Sequence, residues 1–153
     1  MVVRPNRAVL KLETFLPYRL SVLSQKVGQS IAEVYARTHR LSSPDWKVIS
    51  LLANHGPILP AEIRRFGTLD KAAISRALKR LTHRGLVVRK NRPQDGRTFE
   101  VTLSETGWRL YGDIIPEAKR KEAAILAALS DDERTELLRL LDKLDQFYGN
   151  HRL

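Results

Sequence analysis

Cysteine is absent from the 153 residues of this chain, which excludes disulfide frameworks, thiolate nucleophiles, thiol-based redox switching and cysteine-built zinc sites. Histidine is sparse. The four present, His39, His55, His83 and His151, show no i, i+4 pairing and no neighbouring acid cluster, so no metal centre is expected. No apolar run approaches the roughly 20 residues that a membrane span requires. The stretch Met1–Leu10 carries Arg4, Pro5, Asn6 and Arg7 where a secretory leader would need an apolar core, and a soluble cytoplasmic protein is the expectation. A glycine-rich phosphate loop is also missing. The only acidic cluster, Asp131-Asp132-Glu133, fits the first turn of a helix better than a catalytic cleft, so neither an enzyme nor a cofactor is expected.

What the chain has in excess is positive charge: 27 Lys and Arg stand against 17 Asp and Glu, a formal net charge of +10. Its distribution decides what it means. Residues 1–40 carry +5, residues 41–103 carry +7 and residues 104–153 carry −2, and within Arg64 to Arg97 there are 11 basic groups against only Asp70 and Asp95. A localised basic field on a folded segment points to a polyanion, and to nucleic acid in particular. The length suits one compact domain, able to bury about 70% of its unfolded surface.

Hydrophobic periodicity organises the chain. Leu20, Leu23, Val27, Ile31 and Val34 recur at spacings of three and four, predicting a first amphipathic helix from Leu16 to about Thr38 with Pro17 in its first turn. Leu41-Ser42-Ser43-Pro44-Asp45 supplies a cap, an early proline and a carboxylate for the positive end of a second helix. That helix runs to about Asn54, buries Trp46, Ile49, Leu52 and Ala53, and stops at His55-Gly56-Pro57. Pro60 opens a short third helix through Ile63 and Phe66, closed by Gly67. Thr68-Leu69-Asp70 caps a fourth, in which Ile74, Ala77, Leu78 and Leu81 form one apolar stripe before Gly85.

Leu86 to Lys90 and Thr98 to Leu103 then read as two strands, joined through the turn-forming, basic stretch Asn91 to Arg97. Two strands alone are not stable in water and must lean on the helices before them. Ser104-Glu105-Thr106-Gly107 starts a long helix bearing Trp108, Tyr111, Ile114, Ile115, Ile125, Leu126 and Leu129, which Pro116 is expected to kink or split. Ser130 to Glu133 forms a capping box for a final helix with Leu137, Leu138, Leu141, Leu144 and Tyr148 on its apolar face.

Three short helices followed by a basic hairpin make a winged helix-turn-helix. The predicted class is all-α dominated (α+β), a two-stranded wing with amphipathic helices at both chain ends. A DNA major groove admits one helix if its opposite face is anchored in a core, and the fourth helix meets that condition. Its outward set is Lys71, Ala72, Ser75, Arg76 and Lys79. Arg76 suits a two-pronged hydrogen bond to guanine, Ser75 and Ala72 suit a polar edge or a thymine methyl, and Lys71, Lys79 and Arg80 suit phosphates. His83, at the end of that helix, either meets a phosphate or steadies the helix terminus. The hairpin tip offers Arg92 and Arg97 to a minor groove, with Asp95 paired to one of them to stiffen the loop.

Leu41 to Ile49, Asp70 to Leu81 continuing to Arg84-Gly85-Leu86-Val87, the wing Asp95-Gly96-Arg97, and Leu103 to Gly107 follow one another in an order and spacing that resembles the MarR family of bacterial transcription regulators. The resemblance covers nearly the whole chain, with about 41–103 as the DNA-binding lobe and about 8–40 and 104–153 as dimerisation helices of a single domain. The family's wing commonly reads Asp-Arg-Arg. Gly96 stands at the middle position here, which leaves minor-groove contact to Arg97, Arg92 or both.

The resemblance implies a homodimer that binds a pseudo-palindromic operator and answers to a small phenolic or carboxylated effector. Two amphipathic helices at opposite ends of the chain support the dimer independently, with Leu12, Phe15, Leu16, Leu20, Leu137, Leu141, Leu144, Phe147 and Tyr148 as the expected interface. Tyr18, Arg19, Tyr35, His39, Trp46, Trp108 and Tyr111 are the expected effector contacts. Trp46 at helical spacing fits a core position better than a ligand contact, whereas His39 and Arg19 fit plain surface charge equally well. The competing function is a nonspecific architectural DNA binder, which would use the same cations without reading bases.

Overall fold

A computed structural model describes residues 9–66, 68–92 and 95–150, without the side chains of 92, 95–98 and 150. Among the described residues the order is α1 (Leu16–His39), α2 (Ser43–His55), α3 (Pro60–Phe66), α4 (Lys71–His83), β1 (Val87–Arg92), β2 (Asp95–Leu103), α5 (Glu105–Leu126) and α6 (Asp131–Asn150). The expected closure of α3 by Gly67 falls outside the described residues. By compactness the chain divides inside α5, into one unit ending at Ile114 and a second beginning at Ile115.

In the first unit every boundary has a local cause. Ser42 caps α2 in a full capping box with Asp45, and Asp70 caps α4 by accepting from the Ala73 N–H at 2.7 Å. The Leu59 N–H ahead of α3 donates to Glu62 Oε2 at 2.7 Å. The helices bury Val34 and Tyr35 from α1, Val48, Ile49 and Leu52 from α2, Ile63 from α3, and Ile74, Ala77, Leu78 and Leu81 from α4. Only the last turns of α1 join this core, whereas Leu16, Leu20 and Leu23 remain exposed.

The wing is an antiparallel pair in which Val87 faces Leu103, Arg89 faces Val101 and Asn91 faces Phe99. Val87, Val101 and Leu103 are buried, so one face of the hairpin closes the helical core. A third segment adds to the edge: Ile58 and Val101 exchange both backbone hydrogen bonds, at 3.1 and 2.9 Å. The strands extend further than the sequence suggests. Asn91 and Arg92, expected in the connecting turn, continue the ladder through an irregularity that lets Arg92 pair with Asp95.

The long helix also departs from expectation. Pro116 lies inside α5 without splitting it. Proline removes one intrahelical donor, and the remaining bonds of a 22-residue helix carry it past that gap. At its N-terminal end the helix is held against the wing, because Ser104 N–H donates to Leu86 O at 3.0 Å and Ser104 Oγ to Gly85 O at 2.6 Å. Gly107 permits this approach, since a Cβ there would lie 2.1 Å from the Leu86 carbonyl oxygen. Ile114, fully buried, ends the first unit.

In the second unit Ser130 and Glu133 form the expected capping box, with Ser130 N–H donating to Glu133 Oε2 at 2.8 Å and Glu133 N–H to Ser130 Oγ at 3.3 Å. Arg134 Nε donates to Leu126 O at 3.0 Å, closing the turn between α5 and α6.

The Gly107 contact makes a sharp contrast available. Gly107→Ala is expected to destabilise the chain by about 2 kcal/mol, because neither the backbone of Leu86 nor that of the helix yields cheaply. Gly112→Ala, with open space at its Cβ, is expected to be neutral or stabilising by up to about 1 kcal/mol. Denaturant unfolding of both variants measures the difference.

Candidate nucleic-acid interface

α4 presents the two faces that its sequence predicts. Ile74, Ala77, Leu78 and Leu81 are buried, while Lys71, Ala72, Ser75, Arg76 and Lys79 are all exposed. Asp70 caps the end that carries Lys71, Ala72, Ser75 and Arg76, which places those side chains on the N-terminal half of the helix.

Arg80 takes a different place from the phosphate contact expected of it. Its Nε and Nη2 both donate to Asp45 Oδ1, at 3.1 and 2.8 Å, and Nη2 also reaches Ser42 Oγ at 3.3 Å. The reason is Asp45, whose side chain turns inward and is 4% exposed, the one buried charged residue among the described residues. A buried carboxylate requires compensation, and a guanidinium supplies it with geometry suited to the task. Asp45 Oδ2 meanwhile accepts from Ser42 N–H at 2.9 Å and from Ser42 Oγ at 2.6 Å. Burial pushes the Asp45 carboxyl up, but hydrogen bonds from Arg80 and Ser42 outweigh it and hold the group below its usual 3.8.

Beside α4 lies a basic groove that the sequence reading did not assemble. A cavity of about 560 Å³ is walled by Arg64 and Arg65 of α3, Lys71 and Ser75 of α4, and Arg89 and Phe99 of the wing, over a floor that includes Ile74 and Leu78. The Arg89 guanidinium sits 4.7 Å from the centre of the Phe99 ring, a cation–π contact that fixes its direction. Strand parity carried the signal. Arg89 lies two residues from buried Val87 and opposite buried Val101, so it belongs to the face of the hairpin that looks toward the helices. The side chains of Arg92, Asp95 and Arg97, expected at the wing tip, lie outside the described side chains.

The expected effector contacts fall into two groups. Tyr35, Trp46 and Tyr111 stack in sequence, with centroids 5.4 and 5.8 Å apart, and Trp108 meets Tyr111 edge-on at 6.0 Å. Trp46 is covered on both faces and only half-buried, whereas Trp108 is 46% exposed and supplies the open end of the ladder. His39 lies at the nearby end of α1. Tyr18 and Arg19 do not belong to this cluster within one chain. They occupy the first turn of α1, about 25 Å along the helix from Tyr35 at 1.5 Å per residue, and line a separate surface groove with Leu16, Leu20 and Leu23.

Comparison with known proteins agrees with this geometry. Residues 41–99 match the MarR family. The matched stretch runs from the start of α2 through α3, α4 and β1 into β2. The match falls on the winged-helix lobe. Among curated relatives it is similar to the HTH-type transcriptional regulator PecS of Dickeya dadantii, 25% identical over 97% of this chain and 92% of that protein. The HTH-type transcriptional repressor NicR of Pseudomonas putida is 29% identical over 80% of this chain and 84% of its own length. Solved structures share the fold. A MarR/EmrR family regulator from Acinetobacter sp. ADP1 superposes with a TM-score of 0.83 at 24% identity, covering 93% of this chain and all of that one. The PcaV regulator of Streptomyces coelicolor, solved with its natural ligand, gives 0.75 at 22% identity over 92% and 98%. No helix among the described residues is long and apolar enough to cross a membrane.

The Asp45–Arg80 pair has a pH signature. Because the folded carboxyl titrates below 3.8, its stabilisation is complete above that value and is lost as pH falls through the lower native value. Asp45→Asn is expected to cost about 2 kcal/mol at neutral pH, discounted for the half-exposed guanidinium. The gap between wild type and Asp45→Asn in denaturant melts should close as the solution is acidified below that range, and a gap constant down to strong acid would refute the pairing.

Proposed function

We propose that this chain is a homodimeric repressor of the cytoplasm that reads a pseudo-palindromic operator with α4 and the wing, and that a small aromatic or carboxylated effector releases it. The observation that carries the reading is the state of α4, a helix pinned by a fully apolar stripe that leaves Lys71, Ala72, Ser75, Arg76 and Lys79 among its exposed residues. Arg76 reads a base and Lys79 and Lys71 meet phosphates, with Ser75 and Ala72 as small partners to base edges. Arg64, Arg65 and Arg89 extend the phosphate-facing surface toward the wing, where Arg92 and Arg97 enter the minor groove and Asp95 steadies the tip.

Dimerisation is supported by unburied apolar surface in each unit taken by itself. Leu12, Phe15, Leu16 and Leu20 of the first unit and Leu137, Leu141, Leu144, Phe147 and Tyr148 of the second are between 38% and 69% exposed. Patches of this kind mark interfaces, and two linked recognition helices gain affinity through effective concentration. The repressor role follows the NicR repressor of Pseudomonas putida, and the effector follows the ligand-bound PcaV neighbour together with the aromatic ladder.

Selection of duplexes from a random pool tests the reading directly. The expected product is a two-fold symmetric sequence that binds two chains and is preferred over random duplex by at least about 1000-fold. Arg76→Ala should relax one symmetric position by about 1–3 kcal/mol, whereas Lys79→Ala should weaken all duplexes alike and lower the salt slope by about one per protomer. A steep salt slope without sequence preference would establish an architectural binder instead.

The effector arm has its own readout. Trp46 and Trp108 are the only tryptophans, and both belong to the ladder, so a hydroxybenzoate bound there should quench most of the intrinsic emission. Tyr111→Ala should weaken that quenching about tenfold, since one aromatic contact is worth roughly 1 kcal/mol or more. Emission unchanged at millimolar hydroxybenzoate would remove this ligand class.

A further inference from the structure

The turn between α1 and α2 receives two arginines from the far end of α4. Arg80 reaches Asp45 and Ser42 at the start of α2, and Arg84, the C-cap residue of α4, reaches the end of α1. Arg84 Nη2 donates to His39 O at 2.8 Å and Nη1 to Arg40 O at 3.1 Å. These carbonyls belong to the helix terminus that lacks intrahelical donors, where a cation is also favoured by the helix dipole.

The turn itself is tightly specified. Arg40 is the one non-glycine residue among the described residues with positive φ, at φ 51° and ψ 42°, a conformation that costs about 1 kcal/mol outside glycine. Backbone bonds from Arg40 N–H to Ala36 O at 3.1 Å and from Leu41 N–H to Tyr35 O at 3.3 Å hold it, and Leu41 is buried beneath. So α4 is moored at its C-terminal half to a rigid elbow, and the mooring points are one helical turn apart.

The opposite half of α4 carries Lys71, Ala72, Ser75 and Arg76. Between Arg84 and Lys71 the helix is about 20 Å long, so a tilt of about 5° at the elbow displaces that end by about 1.7 Å. Hydrogen bonds to base edges do not survive such a displacement. We infer that Arg84 is a positioning residue for operator reading: its two hydrogen bonds to the α1 terminus set the angle at which α4 enters the groove, and it makes no phosphate contact. The inference rests on the proposal that α4 reads an operator in a dimer.

The test uses the full chain and the duplex selected by the wild type, the same duplex with one base pair inserted between its half-sites, and random duplex, each across a salt series. Arg84→Gln removes both tethers and the charge, and Arg84→Lys keeps the charge without the two-pronged reach. Both variants are expected to lose at least about tenfold in affinity for the selected duplex, to bind random duplex within about twofold of wild type with the same salt slope, and to discriminate less against the inserted base pair. Retained binding to random duplex reports an intact fold. A salt slope reduced by about one per protomer in Arg84→Gln, with Arg84→Lys behaving as wild type, would make Arg84 a phosphate contact and overturn the inference. Equal losses on all duplexes, or none, would overturn it too. Should the wild type select no symmetric duplex, the dimeric operator reading fails first, and that result is distinct from any behaviour of the variants.

Discussion

The buried carboxylate of Asp45 ties the start of α2 to α4. It closes the capping box at the start of α2, accepts both the backbone N–H and the hydroxyl of Ser42, and receives the guanidinium of Arg80 from α4. A carboxylate buried to this extent is stable only while all those donors are present. The demand runs both ways, because the donors are thereby fixed to the carboxylate. One charge thus orients the second helix locally and the fourth helix across the core, which is why Arg80, expected to meet a phosphate, is spent on holding α4.

The rest of the cationic surface follows from which side of each element is oily. α4 buries a stripe of four residues and is left with a polar face that carries Lys71, Arg76 and Lys79 beside the paired Arg80. The wing buries Val87, Val101 and Leu103, which places Arg89 on the same side as the helices and over Phe99. Lys71 and Arg89, with Arg64 and Arg65 from α3, border a single concave surface beside α4. Basic groups converging from three elements focus a field more strongly than the same groups spread along one helix.

α1 serves two purposes because its apolar residues face two different environments. Its last turns, through Val34 and Tyr35, belong to the core and start the aromatic ladder that continues through Trp46 and Tyr111. Its first turns carry Leu16, Leu20 and Leu23 to the surface. A continuous i, i+3, i+4 pattern along the sequence hides this change, since periodicity reports that a face is apolar and not what covers it. The same ambiguity put Tyr18 and Arg19 with the ladder, although about seventeen residues of helix separate them from Tyr35.

The sequence by itself determined the helices, their caps, the breaks at Gly56 and Gly85, the pairing of two strands and the outward set of α4, because each depends on neighbours within a few residues. Only the tertiary structure decided what Asp45, Arg80, Arg84 and Arg89 do. Their partners stand 35, 44 or 45 residues away for the first three, and across a strand pair for the fourth. Long charged side chains are locally interchangeable, and the choice between solvent, a buried carboxylate, a helix terminus and an aromatic ring is made by burial, which exists only once distant segments have packed.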